Sequence, residues 1–446
     1  MTNPERAEVS AWAATRDIAI TWPEDYVRDP NAFHDNPCID FGRVVWREPR
    51  FVLRPCSVDQ LVDCVTMLRD RATPYHVRGA GHSSGGQALS EGGAVIHTGG
   101  LSRIIEERPD AEQIVVEGGT WWLSVIERLQ AHGRRPVSLT GNPRVSVAGT
   151  LSVGGFGDTS HLEGLVIRSI DAITLIAPDG TRHALRRGDE LFHYALAGRG
   201  QLGVIAEVTV RTVRKPLQVT LRYVQWGSLR DFVRDSAIIF RHRLYEYVRA
   251  RLIWEQTEHV DAAVGNFGAS PTAPDAIGII RPLSATSVHV RDLLPDLRRA
   301  PSGDEWQLPT PAMEVALPLP DGLDAWPRIR DRVVAGGLVP FLGRGTSVMV
   351  VPPEPEFPLA PVAGRNATLL IALRPEAPAE RVRELLPALR AIGEIALAAG
   401  GRIHLISIEL ETPRVVERQF GDAIAARLRA LKARLDPGGL CNPGLL

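Results

Sequence analysis

Lysine is nearly absent from this sequence: of 51 Lys and Arg residues only Lys215 and Lys432 are lysines, and 52 acidic residues bring the formal net charge to -1. A protein built around a polyanion needs a cationic surplus, so nucleic acid is not an expected partner. Cysteine is scarce as well. Cys38, Cys56, Cys64 and Cys441 are too few in 446 residues for a disulfide framework, and no spacing among them matches a zinc site, so reduced thiols are expected. No run reaches the ~18 apolar residues that cross a bilayer, and the N-terminal stretch has no basic segment leading into an apolar one. The expectation is a cytoplasmic protein with no membrane partner. What is present, 44% hydrophobic and 23% charged residues, is the composition of a globular chain. Its length gives a prior of two or three domains.

Residues 51–53 form a short apolar stretch, followed by Ser57 and Gln60 at capping-box spacing and the helical pattern Leu61, Val62, Val65, Leu68. Strands are predicted at 75–77 and 94–97, with the glycine-rich run 79–86 at the C-terminal end of the first. A second block begins with a strand at 114–116. Thr120 is the expected cap of a helix over 121–131 that stops at Gly133. Strands at 170–176 and 181–185 flank Pro178-Asp179-Gly180, a turn signal. A helix at 190–197 leads through glycines to an alternating strand at 204–213, and Lys215-Pro216 marks a boundary. Beyond it proline accumulates around 271–282, 309–320 and 352–361, and strands are read at 219–224, 248–254, 346–351, 368–373 and 402–410. An amphipathic helix is expected over 416–435. The pattern predicts an α+β chain divided into 1–215, 216–414 and a C-terminal segment 415–446.

Gly198-Arg199-Gly200-Gln201-Leu202-Gly203 matches G-x-G-x-x-G, yet a helix precedes it and a strand follows. A dinucleotide fingerprint needs the reverse order, so that the diphosphate meets a helix N-terminus. The run 79–86 is better placed, because glycine-rich amides after a strand form a nest of N–H donors for a diphosphate. His82 lies inside it. Two readings of His82 stand at this point: a surface-loop side chain with one local hydrogen bond, or a nucleophilic imidazole beside a bound cofactor. No pair among the 12 histidines has the i, i+4 zinc-helix spacing with a glutamate between, so no metal is expected. No G-x-S-x-G elbow opens a helix, and Ser83 lacks that setting.

Several segments, in order, resemble the vanillyl-alcohol-oxidase or PCMH-type flavoproteins, and within them the branch of cytokinin dehydrogenases and berberine-bridge-like oxidases. They are Arg78-Gly79-Ala80-Gly81-His82-Ser83 with Gln87, then Glu117-Gly118-Gly119-Thr120-Trp121, then Val147-Ala148-Gly149-Thr150-Leu151-Ser152. Gly155, Ser160 and Gly164 continue the spacing, 196–205 resembles the family's later glycine-rich stretch, and Leu435-Asp436-Pro437 with Asn442-Pro443-Gly444 resembles its C-terminal return. The match covers roughly residues 45–215 and 415–446. The resemblance implies a two-part FAD-binding unit of two α+β subdomains, plus a substrate domain with an antiparallel sheet flanked by helices. It implies FAD bonded covalently through His82 and contacted by residues 78–83, Gln87, Thr140, Gly141, Ser146, Gly149, Thr150, Ser152, Gly155, Phe156, Gly203, Val204, Ile205 and Asn442. Relatives with a second link use a cysteine before the isoalloxazine segment; residues 140–155 contain none, which implies a single bond.

The implied activity is hydride removal from a C–H bond next to an amine or alcohol of a small molecule, with O2 as electron acceptor. Cyclisation or rearrangement with a partly structural flavin is the alternative. In the cytokinin-dehydrogenase pattern a catalytic aspartate stands eight residues before the Gly-Thr-Leu-Ser, and that position here is Gly141. Glycine takes no proton, so Asp158, His404 and Glu409 are the candidate bases. Trp254, Tyr245 and Tyr247 are candidate aromatic walls of a pocket between the domains. The oligomeric state is left open by the sequence.

Overall fold

A computed structural model describes residues 3–215, 217–255, 258–267, 281–289, 308–343, 345–410 and 414–444. Pro216 and most of the proline-rich stretch 271–282 lie outside them. Three sheets form among the described residues, and the fold is α+β.

The first sheet has the order Ala19–Thr21, Phe51–Arg54, Ala94–His97, Tyr75–Arg78, with the last three parallel. Helix Val58–Asp70 makes the crossover. Its start follows the capping logic: Ser57 Oγ accepts the Gln60 N–H at 3.2 Å, and Gln60 Oε1 accepts the Cys56 N–H at 2.7 Å. The edge strand Tyr75–Arg78 would leave unpaired peptide groups exposed, and the C-terminal segment covers them. Tyr75 N–H donates to Leu440 O and Asn442 N–H to Tyr75 O, both at 2.8 Å. Asn442 Oδ1 takes the Val77 N–H at 2.9 Å.

The second sheet is antiparallel, in the order Ile104–Arg108, Gln113–Glu117, Val204–Val213, Ile170–Ile176, Arg182–Arg186, with Arg135–Pro136 also paired to the long central strand. Helix Glu190–Ala195 precedes the Gly198–Gly203 run and the strand follows. Helix Trp122–Gln130 is one residue shorter at its start than the sequence suggests. Trp121 is its cap residue, and Thr120 Oγ1 donates instead to Arg103 O at 3.3 Å.

The third sheet is wholly antiparallel, with eight strands: Arg281–His289, Gln218–Trp226, His259–Phe267, Tyr247–Ile253, Thr346–Val351, Ala367–Leu373, Met313–Leu319 and Arg402–Ile403. Helices Leu229–His242, Trp326–Ala335 and Ala379–Ala398 bury Phe232, Ile329 and Leu389 in one core with sheet residues such as Leu252, Val315 and Ile371.

Two long elements expected from sequence are interrupted. The strand read over 402–410 ends at Ile403, because the next peptides bond elsewhere: Ser84 N–H donates to Ile406 O at 3.0 Å and Ile408 N–H donates to Ala312 O at 2.9 Å. The helix read over 416–435 is two, Val415–Phe420 and Asp422–Leu435, broken at Gly421, whose φ of +87° no helix accommodates. No helix among the described residues is long and apolar enough to cross a membrane.

Candidate active site

A cavity of about 440 Å³ opens where the three sheets and the 404–406 segment meet. Its wall begins on the glycine run at the end of strand Tyr75–Arg78, where parallel strands leave peptide groups without ladder partners. Gly79, Ala80, Gly81, His82, Ser83 and Gln87 all line it. Gly79 lies close against its neighbour: a Cβ there would stand 2.1 Å from Ser146 Oγ, which would have to turn away. Gly81 has φ +71°, a conformation costly for residues with side chains. The carbonyls of Gly81 and Ser83 accept the N–H groups of Phe41 and Gly42 at 2.9 and 3.2 Å, which fixes the loop from outside.

Arg78 is the exception among the expected contact residues. It is fully buried beneath the loop, donates through Nη2 to Phe33 O, and does not reach the cavity wall. Burial draws its guanidinium down to about 10. Its part is to support Gly81, where a Cβ would stand 2.4 Å from Nη2.

The His82 ring packs between aromatic rings, 5.2 Å edge-on to Phe33, 5.5 Å stacked on Phe41, and 5.0 Å from His34. His34 is itself held through Nδ1, 2.8 Å from Ala80 O. Burial, with His34 beside it, holds the His82 imidazole well below its ordinary range, so it is neutral at physiological pH. Its Nδ1 is enclosed without a partner in the protein.

Thr140, Gly141, Ser146, Gly149, Thr150, Ser152, Gly155 and Phe156 line a second wall, built on and around helix Val147–Val153. Gly203, Val204 and Ile205 come from the start of the central strand of the second sheet, and Asn442 from the C-terminal segment. Asn442 is placed by Nδ2 donating to Gly200 O at 2.8 Å and by its own carbonyl accepting from Gln201 Nε2 at 2.7 Å.

The three candidate bases separate cleanly. Asp158 lines the cavity, but Arg249 holds its carboxylate through Nε at 3.0 Å and Nη2 at 2.5 Å, a two-point ion pair that occupies both oxygens. Glu409 does not line this cavity. It pairs with Arg199 at 3.0 Å and borders a smaller polar cavity of about 240 Å³ on the far side of Gln87, Arg199 and Asn442. His404 lines the main cavity, is 4% exposed, and has Phe156 edge-on at 5.5 Å. The sequence pattern places His404 and Glu409 on opposite faces of one strand; the strand ends at Ile403, before either of them.

Trp254, Tyr245 and Tyr247 are not cavity walls. Trp254 Nε1 donates to Thr346 Oγ1 at 2.8 Å, Tyr247 packs on Phe267, and Tyr245 is buried in the core. The third sheet's wall is instead Arg249, Arg251, Ser347, Met349, Arg374 and Glu314. Sequence motifs pointed to none of these. One signal was available: Glu314 interrupts the apolar strand Met313–Leu319 and Arg374 ends the apolar strand Ala367–Leu373. A charge inside an apolar strand needs a partner or a purpose.

Residues 49–186 match the family model described as an FAD binding domain. Over 427 residues the chain is 26% identical to an oxidoreductase, ORF5 of the fasciation locus, from Rhodococcoides fascians, covering 91% of this chain and 95% of that protein. It is 27% identical over 230 residues to cytokinin dehydrogenase 7 of Oryza sativa subsp. japonica, covering 49% of this chain and 44% of the relative. With cytokinin dehydrogenase 5 of Arabidopsis thaliana it shares 30% over 208 residues, 44% of this chain and 38% of the relative. The chain thus spans nearly all of the first relative and less than half of each plant enzyme. The cavity fits FAD by its chemistry: a side-chain-free glycine cradle for a diphosphate, and a neutral, enclosed imidazole on that cradle. With an FAD binding domain over residues 49–186 and oxidoreductases among its relatives, the chain is an FAD-dependent oxidoreductase similar to the cytokinin dehydrogenases.

Proposed function

We propose that this protein removes a hydride from a C–H bond beside an amine or alcohol of a small molecule, with FAD bonded to His82. The observation that carries the reading is the setting of His82. Its ring stands on the glycine cradle, and burial keeps it neutral, so that one ring nitrogen carries a free lone pair, which suits attack on an electrophilic carbon. The absence of cysteine from residues 140–155 supports one bond to the flavin rather than two.

FAD, when bound, supplies the two-electron acceptor. The chain supplies placement. Gly79 to Ser83 and Asn442 would hold the cofactor, Gly141 leaves the opposite wall open, and the Arg249–Asp158 pair stiffens the substrate side. Because Gly141 offers no acceptor, any proton must go elsewhere, and His404 is the candidate whose ring faces the cavity without an arginine on it. Residues 1–215 with 415–446 would form the cofactor unit and 216–414 the substrate unit, a division supported by the bonds of Asn442 to Tyr75, Val77 and Gly200. The choice of O2 as electron acceptor rests on the family resemblance.

Acid precipitation tests the tether. Yellow colour should stay in the wild-type pellet and pass to the supernatant in His82→Ala. Colour released from the wild type refutes the covalent reading.

A further inference from the structure

The third sheet turns a row of cross-strand neighbours to the cavity. Arg251 stands opposite Ser347, Ser347 opposite Ala372, and Ala372 opposite Glu314. His404 extends the row, its backbone N–H donating to Glu314 O at 2.8 Å. Small side chains at Ser347 and Ala372 leave a hollow, and charge gathers at the Glu314 end.

Glu314 is 2% exposed and gripped from two sides. Arg374 Nε donates to Oε1 at 2.7 Å, and His404 Nδ1 lies 3.1 Å from Oε2. Burial alone would raise this carboxyl, but the Arg374 guanidinium beside it pulls it below its usual range and keeps it an anion. An anion facing Nδ1 favours the tautomer with its proton there, which leaves the lone pair on Nε2. Neither ring nitrogen of His404 makes a hydrogen bond of good geometry within the protein; Nδ1 has the Glu314 carboxylate 3.1 Å away, whereas buried Nε2 has no such neighbour, and an unmet buried nitrogen costs about 1–3 kcal/mol unless something bound meets it.

We propose that His404, oriented by Glu314 and through it by Arg374, accepts the hydroxyl proton of an alcohol substrate, so that this site oxidises CH–OH rather than an amine. The inference rests on the hydride-removing reading above and narrows its substrate class. The step balances as follows: the O–H bond breaks and its proton goes to Nε2; the C–H hydrogen leaves with both electrons to the flavin, the oxidant; the freed oxygen electron pair closes the C=O bond. A neutral amine needs no such acceptor, because its nitrogen lone pair already drives hydride loss. Electrostatics point the same way. Amine oxidation leaves an iminium cation, but Glu314 and Asp158 are matched by Arg374 and Arg249. A carbonyl product is neutral. His404 is then a catalytic residue, and Glu314 and Arg374 are positioning residues.

Holoenzyme labelled with 15N-histidine tests this without any substrate, with His404→Gln identifying the resonance. In the wild type the proton should sit on Nδ1, and Glu314→Gln, whose amide can donate, should move it to Nε2. Anaerobic mixing with benzyl alcohol and benzylamine, and with cinnamyl alcohol and cinnamylamine, should bleach the flavin faster with the alcohol in each reactive pair. Glu314→Gln should slow that bleaching about 100-fold with little change in the half-saturating alcohol concentration. Arg374→Lys, which keeps the charge, should give a smaller loss and serves if Glu314→Gln does not fold. A wild-type proton on Nε2, or amines bleaching faster, overturns the proposal; where no pair reacts, the tautomer decides. Loss of colour in acid would refute the His82 tether and leave this proposal standing.

Discussion

Glu354 offers the sharpest stability test. It follows strand Thr346–Val351, is 6% exposed, and reaches across to Leu165, whose N–H donates to Oε1 at 2.8 Å. Burial raises its carboxyl from 4.5 to about 7, against the opposing pull of the Leu165 N–H and Arg168. That difference corresponds to about 3 kcal/mol at ~1.36 kcal/mol per pH unit, an upper figure because the surroundings relax. The folded-state value lies above the unfolded one. The stabilisation from this carboxyl is therefore complete below 4.5 and is lost as the pH climbs through about 7. Glu354→Gln keeps an oxygen for the Leu165 N–H and carries no charge at any pH. Urea denaturation of both proteins at about pH 4 and pH 8.5 isolates the effect, since other titrating groups cancel in the comparison. The variant should match the wild type at the lower pH and exceed it by up to about 3 kcal/mol at the higher. An equal offset at both values refutes the reasoning.

Gly141→Asp should fold: φ there is not positive, and a Cβ would have no atom nearer than Phe156 O at 3.7 Å. Its melting temperature should stay within about 3 °C of wild type by calorimetry, with full flavin content. Gly81→Ala should lose at least about 2 kcal/mol, because it meets both the φ of +71° and Arg78 Nη2 at 2.4 Å; denaturant midpoints measure this, and a neutral result would refute the account of the loop.

Local physics made much of the cofactor side readable in advance. Ser57 and Gln60 cap their helix, strand Val204–Val213 falls on its alternation, strands Ala94–His97 and Ile170–Ile176 fall on the segments read as strands, and the glycine run follows its strand, because caps, turns and period-2 patterns depend on near neighbours. The ordered motifs were enough to indicate FAD. Where backbone bonds are made across the chain, sequence patterns failed: residues 404–408 look like strand but bond to Ser84 and Ala312, and a helix breaks at Gly421.

The sequence by itself determined the fold class, the cofactor and the place of His82. Tertiary structure alone decided which charges can act. Asp158, His404 and Glu409 are equivalent as letters, yet Arg249 occupies the first, Glu314 orients the second, and Arg199 holds the third outside the main cavity. Which side chain is left free to meet a ligand depends on partners that lie 91, 90 and 210 positions away along the chain, and no local pattern records those distances.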